Sequence, residues 1–270
     1  MPQLHLLPLM FCMLVLCVKV GVTQSVEHPA KTIICLTYDD GLRSHLETVI
    51  PQLQANGLQA TFFLNSIQGS SDRIGESSPA LMGWKKAAAA GHELGNHTLF
   101  HPCPTQFGWN KEVAIESYTT TQLVAEVRTA AAMLDLIDNR KGPRSFAYPC
   151  NNVMVEGKPY ASALKREGLI WCARDGGDSN SFVKDRGTLS IYRVPSWLVE
   201  EGTTTEALIA FAEKANKSGI MAVYQFHGIG AEFFTVSKEA HLGFLQYLKA
   251  NKDRFEVMTF SAAIKRLDIR

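Results

Sequence analysis

The chain has 270 residues, 46% of them hydrophobic, with 27 Lys and Arg against 26 Asp and Glu. That length supports one sizeable core, so a single folded domain is expected. The even charge excludes the strong field that would gather nucleic acid or an anionic membrane surface, and it suits a neutral substrate.

From the N-terminus, Leu6 to Val20 is nearly unbroken apolar sequence, followed by Val22-Thr23-Gln24-Ser25. This is the build of a secretory signal peptide, although no Lys or Arg precedes it and no clean small-x-small cleavage site follows. As an uncleaved anchor the run is short of the roughly 20 apolar residues that span a bilayer, and Pro8 and Lys19 interrupt it. Cys17 invites lipid attachment, but the bulky Leu16 before it argues against that. The expected organisation is a signal peptide over 1–24 and one domain over 25–270, exported to the periplasm or the exterior, with no membrane span once the signal is removed.

After about residue 30, β-rich runs alternate with amphipathic ones. Strands are predicted at Thr32 to Thr37, Ala60 to Leu64, His92 to Gly95, Ser145 to Tyr148, Leu169 to Ala173, Ser190 to Val194, Met221 to Phe226 and Phe255 to Thr259. Helices are predicted at Ser44 to Asn56, Pro79 to Ala90, Thr121 to Asp138, Thr204 to Lys217 and Ser237 to Asn251. In the Thr121 to Asp138 helix, Leu123, Val127, Ala130, Leu134 and Ile137 recur at helical spacing, and Gly57, Gly91 and Gly219 stand as stop signals after other helices. Ser66 to Ser78 reads as a mobile polar loop. The alternation predicts a parallel sheet covered by helices. A barrel is favoured over a doubly wound sheet because reactive residues follow several different strands, as at the C-terminal rim of a barrel.

Those reactive residues fall in separate runs. Asp39 and Asp40 in Thr37-Tyr38-Asp39-Asp40-Gly41 stand at a strand end, where adjacent carboxylates repel and call for a cation or strong donors. Taken alone, the triplet reads more readily as an ordinary Asp-rich turn. His97 and His101 are four apart, so on a helical turn both imidazoles face one side and can hold one ion; a pair of surface histidines is the plain alternative. His92 reads as structural. His227 follows an apolar strand and precedes Gly228, a place suited to a general acid, or to a capped loop residue. A carboxylate with two imidazoles is the ligand set of a catalytic metal with an open position, which leaves the second carboxylate free as a base.

Taken in order, TYDDG, HTLFH and the Phe226-His227 ending, with Gly57-Leu58-Gln59-Ala60-Thr61-Phe62-Phe63, resemble the polysaccharide deacetylase family, carbohydrate esterase family four, over about Thr32 to His227. The resemblance implies a deformed (β/α) barrel of about seven parallel strands with outer helices. It implies a divalent ion, commonly zinc, with cobalt, nickel or manganese as alternatives, held by Asp40, His97 and His101. Asp39 would be the general base, His227 the acid that protonates the leaving group, and an acetylated glycan the substrate.

The sequence departs from the family at the third motif, Arg-x-Pro-Tyr. Phe146-Ala147-Tyr148-Pro149-Cys150-Asn151 stands there, so Ala147 takes the place of the arginine that orients the base and Cys150 that of the tyrosine. A backbone N–H at Cys150 does not need the side chain, so the oxyanion donor is expected to survive, and Tyr148, Pro149 and Cys150 are expected at the substrate. Arg174, after the strand Leu169 to Ala173, is placed to reach Asp39 from a neighbouring strand end; a surface arginine is the alternative. Asp175 and Asp178 are candidates to orient His227, and Trp197 is either part of a sugar platform or a core residue.

Beyond the first segment four cysteines remain: Cys35, Cys103, Cys150 and Cys172. Cys103 and Cys150 are the expected disulfide because both flank these site segments, with four buried free thiols as the alternative. The leading function is metal-dependent removal of acetyl from an N-acetylated glycan such as chitin oligomers or peptidoglycan. Its rivals are an O-acetyl esterase on acetylxylan-type glycans, a catalytically impaired glycan-binding homologue, and a non-haem iron oxygenase, which uses the same ligand types.

Overall fold

The computed structural model describes Met1, residues 31–65 and residues 79–268; the predicted signal segment and the Ser66 to Ser78 loop lie outside the described residues. Lys31–Arg270 forms one compact unit. In chain order its main elements are β1 (Thr32–Asp39), α1 (Ile50–Asn56), β2 (Thr61–Leu64), α2 (Pro79–Ala89), β3 (Glu93–Asn96), α3 (Thr120–Asp138) and β4 (Arg144–Ala147). There follow β5 (Met154–Val155), β6 (Lys158–Pro159), α4 (Ala161–Arg166), β7 (Ile170–Arg174), β8 (Trp197–Leu198), α5 (Thr205–Ser218), β9 (Met221–Phe226), α6 (Lys238–Ala250), β10 (Phe255–Val257) and α7 (Phe260–Arg266).

β1 is buried at every position, as a strand covered on both faces must be. It pairs in parallel with β9 from Ile33 to Tyr38 along one edge, and along the other with β10 at its start and β2 at its end. The sheet runs β7-β4-β3-β2-β1-β9-β8, with every pairing parallel. Residues 191–198 bridge its two ends. Val194 N–H donates to the Ala173 carbonyl at 3.1 Å, while Trp197 and Leu198 pair with Tyr224 and Gln225 of β9. The sheet therefore curls into a deformed parallel barrel with helices outside, and the strand ends carrying Asp39, His97, Arg174 and His227 converge at one rim.

The predicted strand at Ser190 to Val194 moves to Trp197–Leu198. Arg193 N–H donates to the Ser190 carbonyl at 3.0 Å, making a turn, and Pro195 has no N–H to offer a ladder. The predicted helix from Ser44 is present, but His45–Val49 within it is a π-helical turn before α1. Pro51 accounts for this, since it has no N–H for the carbonyl one α-turn back and its ring crowds that carbonyl. α3 agrees closely with expectation: Leu123, Val127, Ala130, Leu134 and Ile137 are buried, and a reciprocal Thr119–Gln122 capping box starts the helix. Among the described residues, no helix is long and apolar enough to cross a membrane.

Candidate active site

Asp39 ends β1 on the inner face, and the next two residues take left-handed backbone, Asp40 at φ 75° and Gly41 at φ 65°. This tight reversal brings the second carboxylate into the same cavity as the first. Asp40 Oδ1 accepts from Asn65 Nδ2 at 2.8 Å. Asp39 Oδ2 accepts from Arg174 Nη2 at 2.6 Å and from Gln225 Nε2 at 3.1 Å, while Asp39 Oδ1 is buried and has no partner among the described residues.

His97 follows β3. Its Nδ1–H donates to the Ala147 carbonyl at 2.8 Å, which leaves the Nε2 lone pair facing the cavity. His101 Nε2 lies 3.1 Å from His97 Nε2. The helical turn predicted for this pair is replaced by a loop, in which Thr98 and His101 adopt φ values of 65° and 54°. Side chains satisfy its backbone: Asn96 Oδ1 accepts from Thr98 N, Thr98 Oγ1 from His101 N, and Glu126 Oε1 from both Leu99 N and Phe100 N. These local bonds offer the chain an alternative to helix.

Asp40, His97 and His101 form a candidate metal group. Asp40 Oδ1 stands 3.7 Å from His97 Nε2 and 3.5 Å from His101 Nε2, and the two nitrogens are 3.1 Å apart. Three ligands each about 2.1 Å from a tetrahedral ion stand about 3.4 Å apart, so the residues present fit a divalent ion. Burial holds His97 down to about 3 and lowers His101 as well, so both imidazoles are neutral, the form that ligates. Burial, followed by the charge of Asp39, pushes Asp40 up to about 7; a cation bound at this carboxylate would supply the opposing charge. A second group, His101 with Cys103 and Cys150, is unavailable to a metal because the two sulfurs are bonded to each other.

Arg174 is fully buried and is the nearest cation to Asp39. Burial raises the Asp39 carboxyl, but the charges of Arg174, His97 and His227 and the Arg174 hydrogen bond together outweigh this and hold it down to about 2. Ala147 and Arg174 are direct partners in the β4–β7 register, so the guanidinium enters from the strand beside the one bearing Ala147. Its Nη1 also donates to Thr37 Oγ1 at 3.2 Å.

His227, just past β9, places Nε2 4.0 Å from Asp39 Oδ2 and 3.9 Å from Asp40 Oδ2. Burial lowers it to about 4, against the pull of Asp39. Among the described residues nothing partners its Nδ1. Neither Asp175 nor Asp178 takes that place: Asp175 accepts from Arg193 and from Gly176 N, and Asp178 caps the turn at Asn180 and Ser181.

Cys103 and Cys150 form the expected disulfide, with the Cys103 sulfur 3.4 Å from His101 Nδ1, while Cys35 and Cys172 are free and buried. Cys150 lines the cavity at φ 49°. Of the other residues placed at the substrate, Tyr148 is buried with its hydroxyl donating to the Tyr192 carbonyl, and Pro149 is buried beside it. Trp197 packs in the core against Phe211 and Tyr224. None of these three lines the cavity, because β-strand alternation and the Pro149 turn direct them into the protein. His92 is structural, its Nδ1 accepting from Ala60 N at 3.2 Å.

Residues that sequence reasoning passed over are Gln225 and Thr37 around Asp39 and Arg174, Asn65 on Asp40, and the aromatic side chains of the cavity wall. Gln225 and Asn65 did carry a signal. Each is a polar residue at or just past the end of an apolar strand, and Gln225 shares strand parity with His227.

The family model described as polysaccharide deacetylase matches residues 26–165, just over half of the chain. Chitin deacetylase 1 of Cryptococcus neoformans is 24% identical over 185 residues, covering 68% of this chain and 33% of that protein, so the chain spans about a third of its curated relative. Among solved structures, a family 4 acetyl xylan esterase from Clostridium thermocellum, in complex with a cobalt ion, aligns with TM-score 0.53 and 17% identity, over 87% of this chain and 91% of that one. A family 4 pseudoenzyme from Bacillus anthracis aligns with TM-score 0.53 and 15% identity, over 87% and 66%. These structural likenesses are of fold.

Proposed function

The chain belongs to the polysaccharide deacetylase family, and from that premise we propose that it is an exported, divalent-metal-dependent hydrolase that removes acetyl from an N-acetylated glycan, such as chitin oligomers or peptidoglycan. The observation that carries this reading is the convergence of Asp39, Asp40, His97, His101 and His227 on one cavity, with a buried arginine fixed on Asp39. Asp40, His97 and His101 would hold the ion, zinc by donor type, with cobalt, nickel or manganese compatible with the same set. Once bound, it supplies positive charge that polarises the acyl carbonyl and acidifies water.

The remaining steps belong to the chain's own groups. Arg174 and Gln225 both occupy Asp39 Oδ2, which leaves Oδ1, the unpartnered oxygen, to accept the proton of the attacking water. Arg174 keeps that carboxylate ionised before attack. His227 stands beside both carboxylates and is the proposed donor to the departing amine; burial leaves its imidazole neutral at rest, so it first takes up a proton from solvent, a step that the negative charge of Asp39 favours, and then passes it on. The Cys150 backbone N–H, held by the bond to Cys103, is the group proposed to face the oxyanion.

The guanidinium on Asp39 supports the catalytic reading over a glycan-binding homologue, whose main support was the absence of arginine at Ala147. Export is supported by the apolar run Leu6 to Val20 and by the Cys103–Cys150 disulfide, a bond that persists in oxidising compartments. The test is acetate release by the purified protein from chitin oligomers, peptidoglycan and acetylxylan, alongside metal analysis. Release from the first two supports the N-deacetylase, and release from acetylxylan alone replaces it with the O-acetyl esterase.

A further inference from the structure

Among the described residues, five Phe and Trp side chains are exposed: Phe100 at 64%, Phe107 at 54%, Trp109 at 36%, Phe233 at 50% and Phe234 at 45%. All five line the same cavity of about 550 Å³ that holds Asp39 and His227. Leaving large aromatic faces in water is unfavourable, and gathering them in one place marks a surface meant to be covered.

The rings come from two separate stretches, and each is held rigidly. Phe107 and Trp109 lie on a loop pinned by the Cys103–Cys150 disulfide, by Ile115 N–H on the Cys103 carbonyl at 3.1 Å, and by Glu116 on Thr105 N at 3.0 Å. The Trp109 ring lies 5.9 Å from that of His101. Phe233 and Phe234 lie on the loop after β9, closed by Gly228 N–H on the Phe233 carbonyl at 3.1 Å and by Glu232, which accepts from Ser44 N at 3.1 Å. Their rings sit 5.5 and 5.3 Å from His227. Phe234 adopts φ 45°, a costly backbone for a bulky residue and one that persists where the surroundings over-determine it. One aromatic group thus adjoins a metal-ligand candidate and the other adjoins the proposed acid. Apart from Asp39, Asp40 and the three histidines, the described lining contains no ionisable side chain.

We propose that these two loops form a carbohydrate clamp, which binds the apolar faces of uncharged pyranose rings on either side of the sugar that reacts. Pyranose C–H faces match aromatic faces in shape and hydrophobicity. A ring bearing a carboxylate would lose hydration against Phe107, Phe233 and Phe234 without gaining a partner. The clamp takes its reacting sugar from the hydrolase reading and goes beyond it by naming where the neighbouring rings sit and which charge they carry.

The test is calorimetric and tryptophan-fluorescence titration of the full chain with short and long cello- and xylo-oligosaccharides, which carry neither acyl groups nor charge. Chitin oligosaccharides are added to an Asp39→Asn protein, in which turnover is slowed about 10²- to 10⁴-fold. Affinity should rise with oligomer length for at least one series. Trp109→Ala and Phe233→Leu should each raise Kd roughly threefold to tenfold. Phe233→Leu keeps apolar bulk and removes only the ring, and thermal melting establishes that each variant is folded. Absence of saturable binding, affinity independent of length, no effect of either substitution, or tighter binding of oligogalacturonates would each overturn the clamp. Acetate release is scored separately. Release without oligomer binding overturns the clamp alone, and binding without release overturns the hydrolase and leaves the clamp standing.

Discussion

Arg174 Nη2 lies 2.6 Å from Asp39 Oδ2, with both side chains buried, so the proposed base is held by a guanidinium from β7 and not from the strand position that Ala147 occupies. Because Ala147 and Arg174 are register partners, moving the arginine one strand along keeps it at the same level of the rim. The Ala147 carbonyl itself accepts from His97 Nδ1 at 2.8 Å.

Removing this cation should therefore impair both stability and turnover. Arg174→Ala leaves a buried carboxylate supported only by Gln225; breaking such a pair costs about 3–5 kcal/mol, and misplacement of the base costs roughly a hundredfold in kcat. Arg174→Lys should restore little, since an ammonium cannot reproduce the fork that reaches Asp39 and Thr37 together. Thermal melting and acetate-release kinetics check this, and undiminished activity in Arg174→Ala would remove the arginine from the account.

The two neighbouring carboxylates should separate cleanly. Asp39→Asn is expected to retain the ion and lose about 10²- to 10⁴-fold in turnover, whereas Asp40→Asn should lose the ion. Metal stoichiometry after dialysis distinguishes them, and equal metal loss in both would undo the division of roles. Asn65→Ala, which removes the donor to Asp40 Oδ1, should weaken metal affinity by roughly 10- to 100-fold.

The disulfide should matter for the site as well as for the fold. Its ends are 47 residues apart, for which chain entropy alone gives about 4 kcal/mol. Cys103→Ser with Cys150→Ser should lower the melting temperature, and it should lower kcat more than a remote destabilisation of the same size, because Cys150 and His101 both lose their brace. Equal kcat in the folded double variant would confine the bond to stability.

His45 should act on His227 through the backbone. It is fully buried, its Nε2–H donates to the His227 carbonyl at 2.9 Å, and its ring packs among Tyr38, Phe62 and Trp84. His45→Phe retains the packing and removes the donor, so kcat should fall by roughly tenfold to a hundredfold with KM nearly unchanged. His45→Gln, which offers an N–H again, should recover part of it; no recovery would assign His45 to packing alone.

Much of this was legible in the sequence where one element carries the message alone. β9 was bounded to the residue, and β1 only extends by two, because continuous apolar runs report a buried parallel strand. The two carboxylates, His97 and His227 were legible because each stands at a strand end, and His101 because it follows His97 by four residues. What escaped depends on neighbours distant in sequence. Gln225 meets Asp39 186 residues away, and periodicity shows which face a side chain takes but not what it faces. The HTLFH loop reads as a helical turn until Glu126 is seen capping it from α3. Trp197 illustrates the reverse: an aromatic residue near a rim is equally suited to platform or core, and only packing against Phe211 and Tyr224 decides.

The central claim is that one ion held by Asp40, His97 and His101 enables acetate release with Asp39 as base. Its most direct test is acetate release from chitin oligomers by protein carrying a measured equivalent of zinc or cobalt, before chelation, after it, and after the ion is returned. The account predicts release that stops with chelation and resumes with the ion, and release about 10²- to 10⁴-fold slower from metal-loaded Asp39→Asn. Release that continues in the metal-free protein, or none from any acetylated glycan with the ion in place, would contradict it.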